Sequence, residues 1–195
     1  MTDTQTQSGL LLIISGPSGV GKTTITHQVV KDLEATFSVS MTTRPQTDSD
    51  THGLDYQFVT EAQFQEHIQN NDLLEWANVF GNHYGTPRKP VEDALTQGKI
   101  MILEIDVQGA IDVKKNMPQA HGVFILPPSE DVLLKRLRAR GREDETIIQK
   151  RFEKAQLEMS IAKESGIYDQ FVINDELQDA IDEIVTAVKN KQTAG

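Results

Sequence analysis

Five apolar residues in a row, Leu10 to Ile14, follow a polar lead-in at residues 1 to 9 and run up to Ser15 and Gly16. An unbroken run of that length predicts a strand buried on both faces of a parallel sheet. Behind it, Ile25, Val29, Val30 and Leu33 recur at helical spacing and predict a helix from after Gly21 to about Ala35. Phe37 to Ser40 starts a strand, and the polar stretch Met41 to Asp55, with one arginine, one proline and one glycine after Met41, reads as a surface loop. Tyr56 to Val59 is a second short strand, and Thr60 with Gln63 makes a capping box for a helix through His67. Leu73 to Phe80 is again strand-like, with Glu75 inside an apolar run where an unpartnered carboxylate is costly to bury. GNHYGTP, Gly81 to Pro87, reads as a loop, and Val91 to Leu95 as a short helix closed by Gly98. Ile100 to Ile105 is an apolar strand interrupted by Glu104 and ended by Asp106. Alternation then puts both carboxylates on one face near the strand's C-terminal edge.

The second half continues the alternation. Val123 to Leu126 predicts a buried strand, and Ser129 opens a helix with Glu130 and Asp131 in its first turn. A long charged helix follows from about Asp144 to Lys163, then a strand Phe171 to Ile173 and a last helix Glu176 to Lys189, capped by Asp175 and Gln178. Strands alternating with helices predict an α/β parallel sheet with right-handed crossovers, and residues 38 to 90 are strand-rich enough to form a lobe of their own.

The turn after the first strand carries chemistry. Gly16, Gly21, Lys22 and Thr23 match the spacing G-x-x-x-x-G-K-[ST], in which small residues let backbone N–H groups curl around phosphate oxygens. Lys22 would sit beside the β- and γ-phosphates, Thr23 would ligate Mg²⁺, and the following helix would aim its N-terminal dipole at the same anion. A bare glycine turn is the plainer alternative. Binding a nucleotide does not fix the reaction. A switch GTPase needs D-x-x-G, which Asp106 to Gly109 supplies, and also N-K-x-D, which the chain lacks.

Length and charge narrow the classes further. A chain of 195 residues is expected to form one domain. With 19 basic against 29 acidic residues the net charge is −10, which argues against nucleic acid or an anionic membrane as the main partner. Basic residues should then be gathered locally, and Lys135, Arg136, Arg138, Arg140 and Arg142 are. No cysteine is present, so disulfides and thiolate metal sites are excluded, and the five histidines show no metal-ligand spacing. The polar opening is unlike a signal peptide, and no apolar run approaches the about 20 residues that span a bilayer. A cytoplasmic location is expected, with homo-oligomerisation left open.

The chain resembles the guanylate kinases, which move a phosphate from ATP to GMP in purine nucleotide metabolism and GMP recycling. The resemblance rests on GPSGVGKT at Gly16 to Thr23, SMTTR at Ser40 to Arg44 and HGLDYQFV at His52 to Val59. It continues through LLEWA at Leu73 to Ala77, GNHYGTP, LEIDVQGA at Leu103 to Ala110, RLRARG at Arg136 to Gly141, QKR at Gln149 to Arg151 and VINDEL at Val172 to Leu177. It implies a phosphate-loop parallel sheet flanked by helices, with a strand-rich GMP-binding insertion and a helical lid. The implied division is a core of residues 8–37, 91–135 and 152–195, a GMP-binding lobe of 38–90 and a lid of 136–151. By resemblance, ATP is held by Gly16, Pro17, Ser18, Gly19, Val20, Gly21, Lys22, Thr23 and Thr24, with Asn174 at the adenine and Mg²⁺ as cofactor. The guanine is read by Glu75 and Asp106, with the Ser40 and Thr86 hydroxyls on its O6/N7 side; Thr86 stands where the family usually has serine. A carboxylate suits guanine, whose N1–H and N2 amino donors lie on one edge, and such a polar site can reject a wrong base by about 10⁴-fold. The GMP phosphate is held by Arg44, Tyr56 and Tyr84. Lys22, Arg44 and the lid residues Arg136, Arg140 and Arg151 are the implied catalytic cations, closing over the reaction and excluding water.

In one respect the sequence departs from the family. Thr47 stands where a second arginine usually grips the acceptor phosphate. Losing one charge-assisted contact costs about 1.5–3 kcal/mol, so a raised KM for GMP is expected. Two alternatives remain open at this level: a related kinase acting on a sugar phosphate, and a non-catalytic guanylate-kinase-like scaffold, although the latter typically loses the lysine found here as Lys22.

Overall fold

In the computed structural model, residues 9–139 and 144–194 are described; the lead-in at residues 1–8 and Arg140 lie outside them. In chain order the elements are β1 (Leu10–Ser15), α1 (Lys22–Asp32), β2 (Thr36–Phe37), β3 (Met41–Thr42), β4 (Gln57–Phe58), α2 (Glu61–Gln69), β5 (Leu73–Val79) and β6 (Asn82–Pro87). They continue with α3 (Arg88–Thr96), β7 (Ile100–Glu104), α4 (Val107–Asn116), β8 (His121–Leu126), α5 (Glu130–Ala139), α6 (Glu145–Ser165), β9 (Gln170–Ile173) and α7 (Leu177–Ala194).

The apolar runs become the expected parallel sheet, in the order β2-β7-β1-β8-β9. Every residue of β1 is buried, because period-two alternation feeds two separate cores. Leu11, Ile13, Met101, Leu103 and Phe124 pack on one face against α3, α4, α5 and α6. Leu10, Leu12, Ile14, Ile102 and Val123 pack on the other against α1 and α7. A second, four-stranded sheet has the order β4-β3-β6-β5, antiparallel except for the β3–β4 pair, and its own core is Met41, Phe64 and Leu73. Thr60 caps α2 with the full reciprocal box to Gln63, and the Asp144 carboxylate accepts the Ile147 N–H to cap α6. Among the described residues no helix is long and apolar enough to cross a membrane.

Four sequence expectations need correction. Of the strand expected at Phe37 to Ser40 only Phe37 lies in a strand, β2, while β3 starts at Met41 in the other sheet, so the loop expected from Met41 begins with a strand. GNHYGTP is strand β6 and no loop; its backbone is paired on both sides, by β3 and β5, which local composition does not reveal. Helix α4 is absent from the sequence pattern, since Gly109 weakens it and only Val107, Ala110 and Val113 mark its buried side. Asp106 is the N-cap of α4, taking the Gly109 N–H at 2.9 Å, so it lies past β7 and does not share a strand face with Glu104.

Candidate active site

Ser15 ends β1 and Lys22 begins α1, so the intervening loop must turn a strand directly into a helix N-terminus. Gly21 makes that turn at φ 100°, in the left-handed region where a side chain is strained, and a Cβ there would meet the Asn174 amide at 2.7 Å. Asn174 is buried beneath the loop; its Nδ2 donates to the Val20 carbonyl at 2.7 Å, and its backbone N–H donates to Leu126. The Lys22 ammonium donates to the Gly16 carbonyl at 2.5 Å and the Pro17 carbonyl at 3.2 Å. The Thr23 hydroxyl donates to Glu104 Oε1 at 2.9 Å; this is possible because β7 pairs beside β1, bringing Glu104 level with Ile14. A cavity of about 170 Å³ lies over the loop, bounded by Pro17, Lys22, Thr23 and Glu104. Arg151 reaches in from α6 and donates to the Ser18 hydroxyl at 2.8 Å. Arg136 lies on α5 with its Nη1 enclosed and without a hydrogen-bond partner among the described residues.

On the second sheet, strand register gathers a different set. Glu75 on β5 pairs with Thr86 on β6, and Thr42 on β3 pairs with Tyr84, so Glu75, Tyr84 and Thr86 share a face with Ser40, two residues before Thr42. The buried Thr86 hydroxyl donates to Glu75 Oε1 at 2.6 Å. Glu75 Oε2 lies so close to Gly109 that a Cβ there would come within 3.1 Å, which sets Glu75 against the capped turn of Asp106. Burial pushes the Glu75 carboxyl up to about 7, against the Thr86 hydrogen bond that lowers it, with Asp106 and Asp112 adding to the rise.

Arg44 begins the loop after β3. Its guanidinium lies 5.3 Å from the Tyr56 ring centroid and 5.4 Å from that of Phe58, and the Tyr56 and Tyr84 rings meet edge-on at 5.8 Å. It also forms a two-pronged ion pair with Asp50, at 2.9 and 3.0 Å. A cleft of about 650 Å³ separates the two sheets here, lined by Thr23 and Glu104 on one side and by Ser40, Asp50 and Tyr56 on the other.

This paired arrangement has counterparts among known proteins. A family model described as guanylate kinase matches residues 8–191. The chain belongs to the guanylate kinase family. A guanylate kinase of Carboxydothermus hydrogenoformans is 44% identical over 187 residues, covering 94% of this chain and 90% of that protein. One from Gloeobacter violaceus is 46% identical over 175 residues, covering 89% and 84%. The crystal structure of guanylate kinase from Anaplasma phagocytophilum matches with a TM-score of 0.74 at 31% identity, covering 95% of this chain and 87% of that one. As a member of this family the chain is a nucleoside monophosphate kinase.

Within the guanylate kinase frame, the candidate residues fall into three groups. Lys22, Thr23, Ser18 and Arg151 meet at the loop; Glu75, Thr86 and Asp106 meet at the β5–β6 pair; Arg44, Tyr56 and Tyr84 meet between them. Asn174, the residue expected at the adenine, has one amide donor committed to the loop backbone. Two carboxylates were not among the candidates. Glu104 reads in sequence as an acid at a strand end, yet its contact with Thr23 depends on the non-sequential pairing of β1 and β7. Glu158 on α6 reads in sequence as part of a solvated helix face. Burial raises its carboxyl pKa, while Lys154, 3.6 Å away, and Lys22 pull it down.

Thr23 and Glu104 are hard oxygen donors in the places where phosphate-loop enzymes hold Mg²⁺, namely the loop hydroxyl and an acid at the end of the neighbouring strand. No cluster of three or more His, Cys, Asp or Glu side chains suited to a metal occurs among the described residues. The donor set therefore fits an ion that completes its shell with phosphate and water oxygens.

Proposed function

We propose that this guanylate kinase transfers the γ-phosphate of Mg·ATP to GMP or dGMP, giving ADP and GDP, and acts in the cytoplasm. The observation that carries the reading is that Thr23 and Glu104 line both the phosphate-loop cavity and the cleft leading to Ser40 and Tyr56. Donor and acceptor phosphates would meet at that shared wall.

In this reading residues 8–37, 91–135 and 152–195 are the core, 38–90 the GMP lobe and 136–151 the lid. Backbone amides of Gly16 to Thr24 cradle the ATP phosphates, with Lys22 exchanging its loop carbonyls for phosphate oxygens. Thr23 and Glu104 would hold Mg²⁺, which would supply neutralisation of the ATP phosphate charge. Glu75, ionised, accepts from guanine N1–H and N2, with Asp106 beside it and the Ser40 and Thr86 hydroxyls toward O6 and N7. Arg44, Tyr56 and Tyr84 hold the GMP phosphate, and Arg136, Arg140 and Arg151 close over the transferring group. The attacking phosphate oxygen is already ionised at pH 7, so positioning and electrostatics suffice without a general base.

A coupled ADP assay comparing GMP, dGMP, AMP, UMP and ribose phosphates with Mg·ATP tests the reading; turnover of a ribose phosphate without GMP would sink it. Lys22→Ala should lower kcat by about 10²–10³-fold while leaving GMP binding intact. Undiminished turnover would remove Lys22 from the mechanism.

A further inference from the structure

We propose that Thr47 and Asp50 are a positioning pair for the acceptor phosphate: they grip Arg44 by one edge and thereby present its other edge to GMP. This rests on the cleft being the GMP site. It also gives a physical role to Thr47, the position where the resemblance expects a second arginine.

A guanidinium carries five N–H donors in one plane. Arg44 Nη1 donates to the Pro45 carbonyl at 3.1 Å and to Asp50 Oδ2 at 2.9 Å, and Nη2 donates to Asp50 Oδ1 at 3.0 Å. The Nε–H and the second Nη2–H, which lie parallel along the other edge, take no part in these bonds. That edge matches two oxygens of a phosphate. Cation–π contacts with the Tyr56 and Phe58 rings hold the guanidinium in place, and the two-pronged bond to Asp50 fixes its rotation.

Asp50 is itself held. Its Oδ2 also accepts from the Thr47 N–H at 2.8 Å and the Thr47 hydroxyl at 2.7 Å, while Gln46 Nε2 donates to its backbone carbonyl at 2.8 Å. The Arg44 guanidinium and the Thr47 donors keep the Asp50 carboxyl well below the usual carboxylate range, so the pair is charged throughout neutral pH. An arginine at position 47 would bring a second positive charge to the phosphate. Threonine brings none, but it anchors the carboxylate that aligns the arginine already there. The gain is in pre-alignment: Arg44 reaches its binding rotamer before the ligand arrives. Asp50 lines the cleft and occupies the edge next to the phosphate edge, the two sharing Nη2, so its repulsion of the ligand is offset by the cation that both contact.

Calorimetric titration of the full chain with GMP and with guanosine separates this from a general structural role, because the two ligands differ only in the phosphate. Asp50→Asn should weaken GMP binding by about tenfold, the scale of one charge-assisted contact, and leave guanosine and ATP binding unchanged. Asp50→Glu should recover most of the loss, and Thr47→Val should reproduce a smaller part of it. Tighter GMP binding by Asp50→Asn would overturn the proposal by showing that Asp50 competes with the phosphate. Equal weakening of GMP and guanosine would also overturn it, as damage to the lobe alone. Unchanged GMP affinity in Asp50→Asn, with wild-type GMP turnover intact, sinks the positioning role but spares the assignment of the site. Wild-type protein that neither binds nor phosphorylates GMP overturns both.

Discussion

In the parallel sheet, β1 and β7 deliver the phosphate loop and Glu104 from strands buried between two helical layers. In the mixed sheet, whose own core is Met41, Phe64 and Leu73, the residues Glu75, Tyr84 and Thr86 sit on strands and Ser40 just before β3. The first region offers mainly backbone: left-handed glycines, a helix N-terminus and one lysine held by loop carbonyls. The second offers side chains in mutual tension, a partly buried carboxylate against a hydroxyl and an arginine held by an aspartate. A phosphate common to all nucleotides suits the first arrangement. A particular base on an acceptor needs the second, where unpaired polar groups penalise the wrong ligand.

The largest effect should come from the strained carboxylate. Glu75→Gln replaces one acceptor oxygen with a donor facing guanine donors and should raise KM for GMP by up to about 10⁴-fold, with KM for ATP little changed. Its pH dependence follows from the raised pKa. The folded carboxyl, at about 7, holds its proton more tightly than an ordinary one at 4.5, so it subtracts stability as pH rises through that window, and the penalty is complete above pH 7. Since GMP takes the ionised form, wild-type KM for GMP should climb as pH falls below 7. In Glu75→Gln only the climb from protonation of the GMP phosphate itself, at about pH 6, should remain, and the ligand-free melting temperature should rise at pH 8 but not at pH 4.5. A wild-type KM that is flat from pH 6 to 8 would show that Glu75 does not read the base.

Next in size, Phe64→Ala removes the fully buried ring from the small core of the mixed sheet, a change worth about 3–5 kcal/mol. GMP affinity should drop sharply while binding of an ATP analogue survives, seen by titrating each ligand separately. Parallel loss of both would break the contrast and show the two sheets unfolding as one unit. The smallest effect expected is at Asn174→Ala, which leaves the buried Val20 carbonyl unpaired at about 1–3 kcal/mol. ATP, GTP and ITP should then all bind more weakly as donors by a similar factor. A change confined to ATP would return Asn174 to base reading and away from the loop.

Legibility in sequence divides along the same line. The Leu10 to Ile14 run, the Lys22 spacing, the helical repeat of α1 and the charged stretch of α6 are local, and the strand and helices they predict form at nearly those residues. The mixed sheet was half hidden. Met41–Thr42 and Asn82–Pro87 carry no apolar alternation and become strands because neighbours pair with them. Asp106 looked like a continuation of β7 but caps α4.

By itself the sequence determined the phosphate loop, the parallel α/β sheet and the family, because these are written in contiguous spacing and composition. Only the tertiary structure decided that Thr23 meets Glu104, that Asn174 supports Val20 and that Thr47 serves Asp50 and through it Arg44. The first depends on β1 and β7, neighbours in the sheet but far apart in the chain, and the second on the end of β9, two strands away from β1. The third depends on how a polar loop satisfies its own hydrogen bonds, and no local spacing rule specifies that.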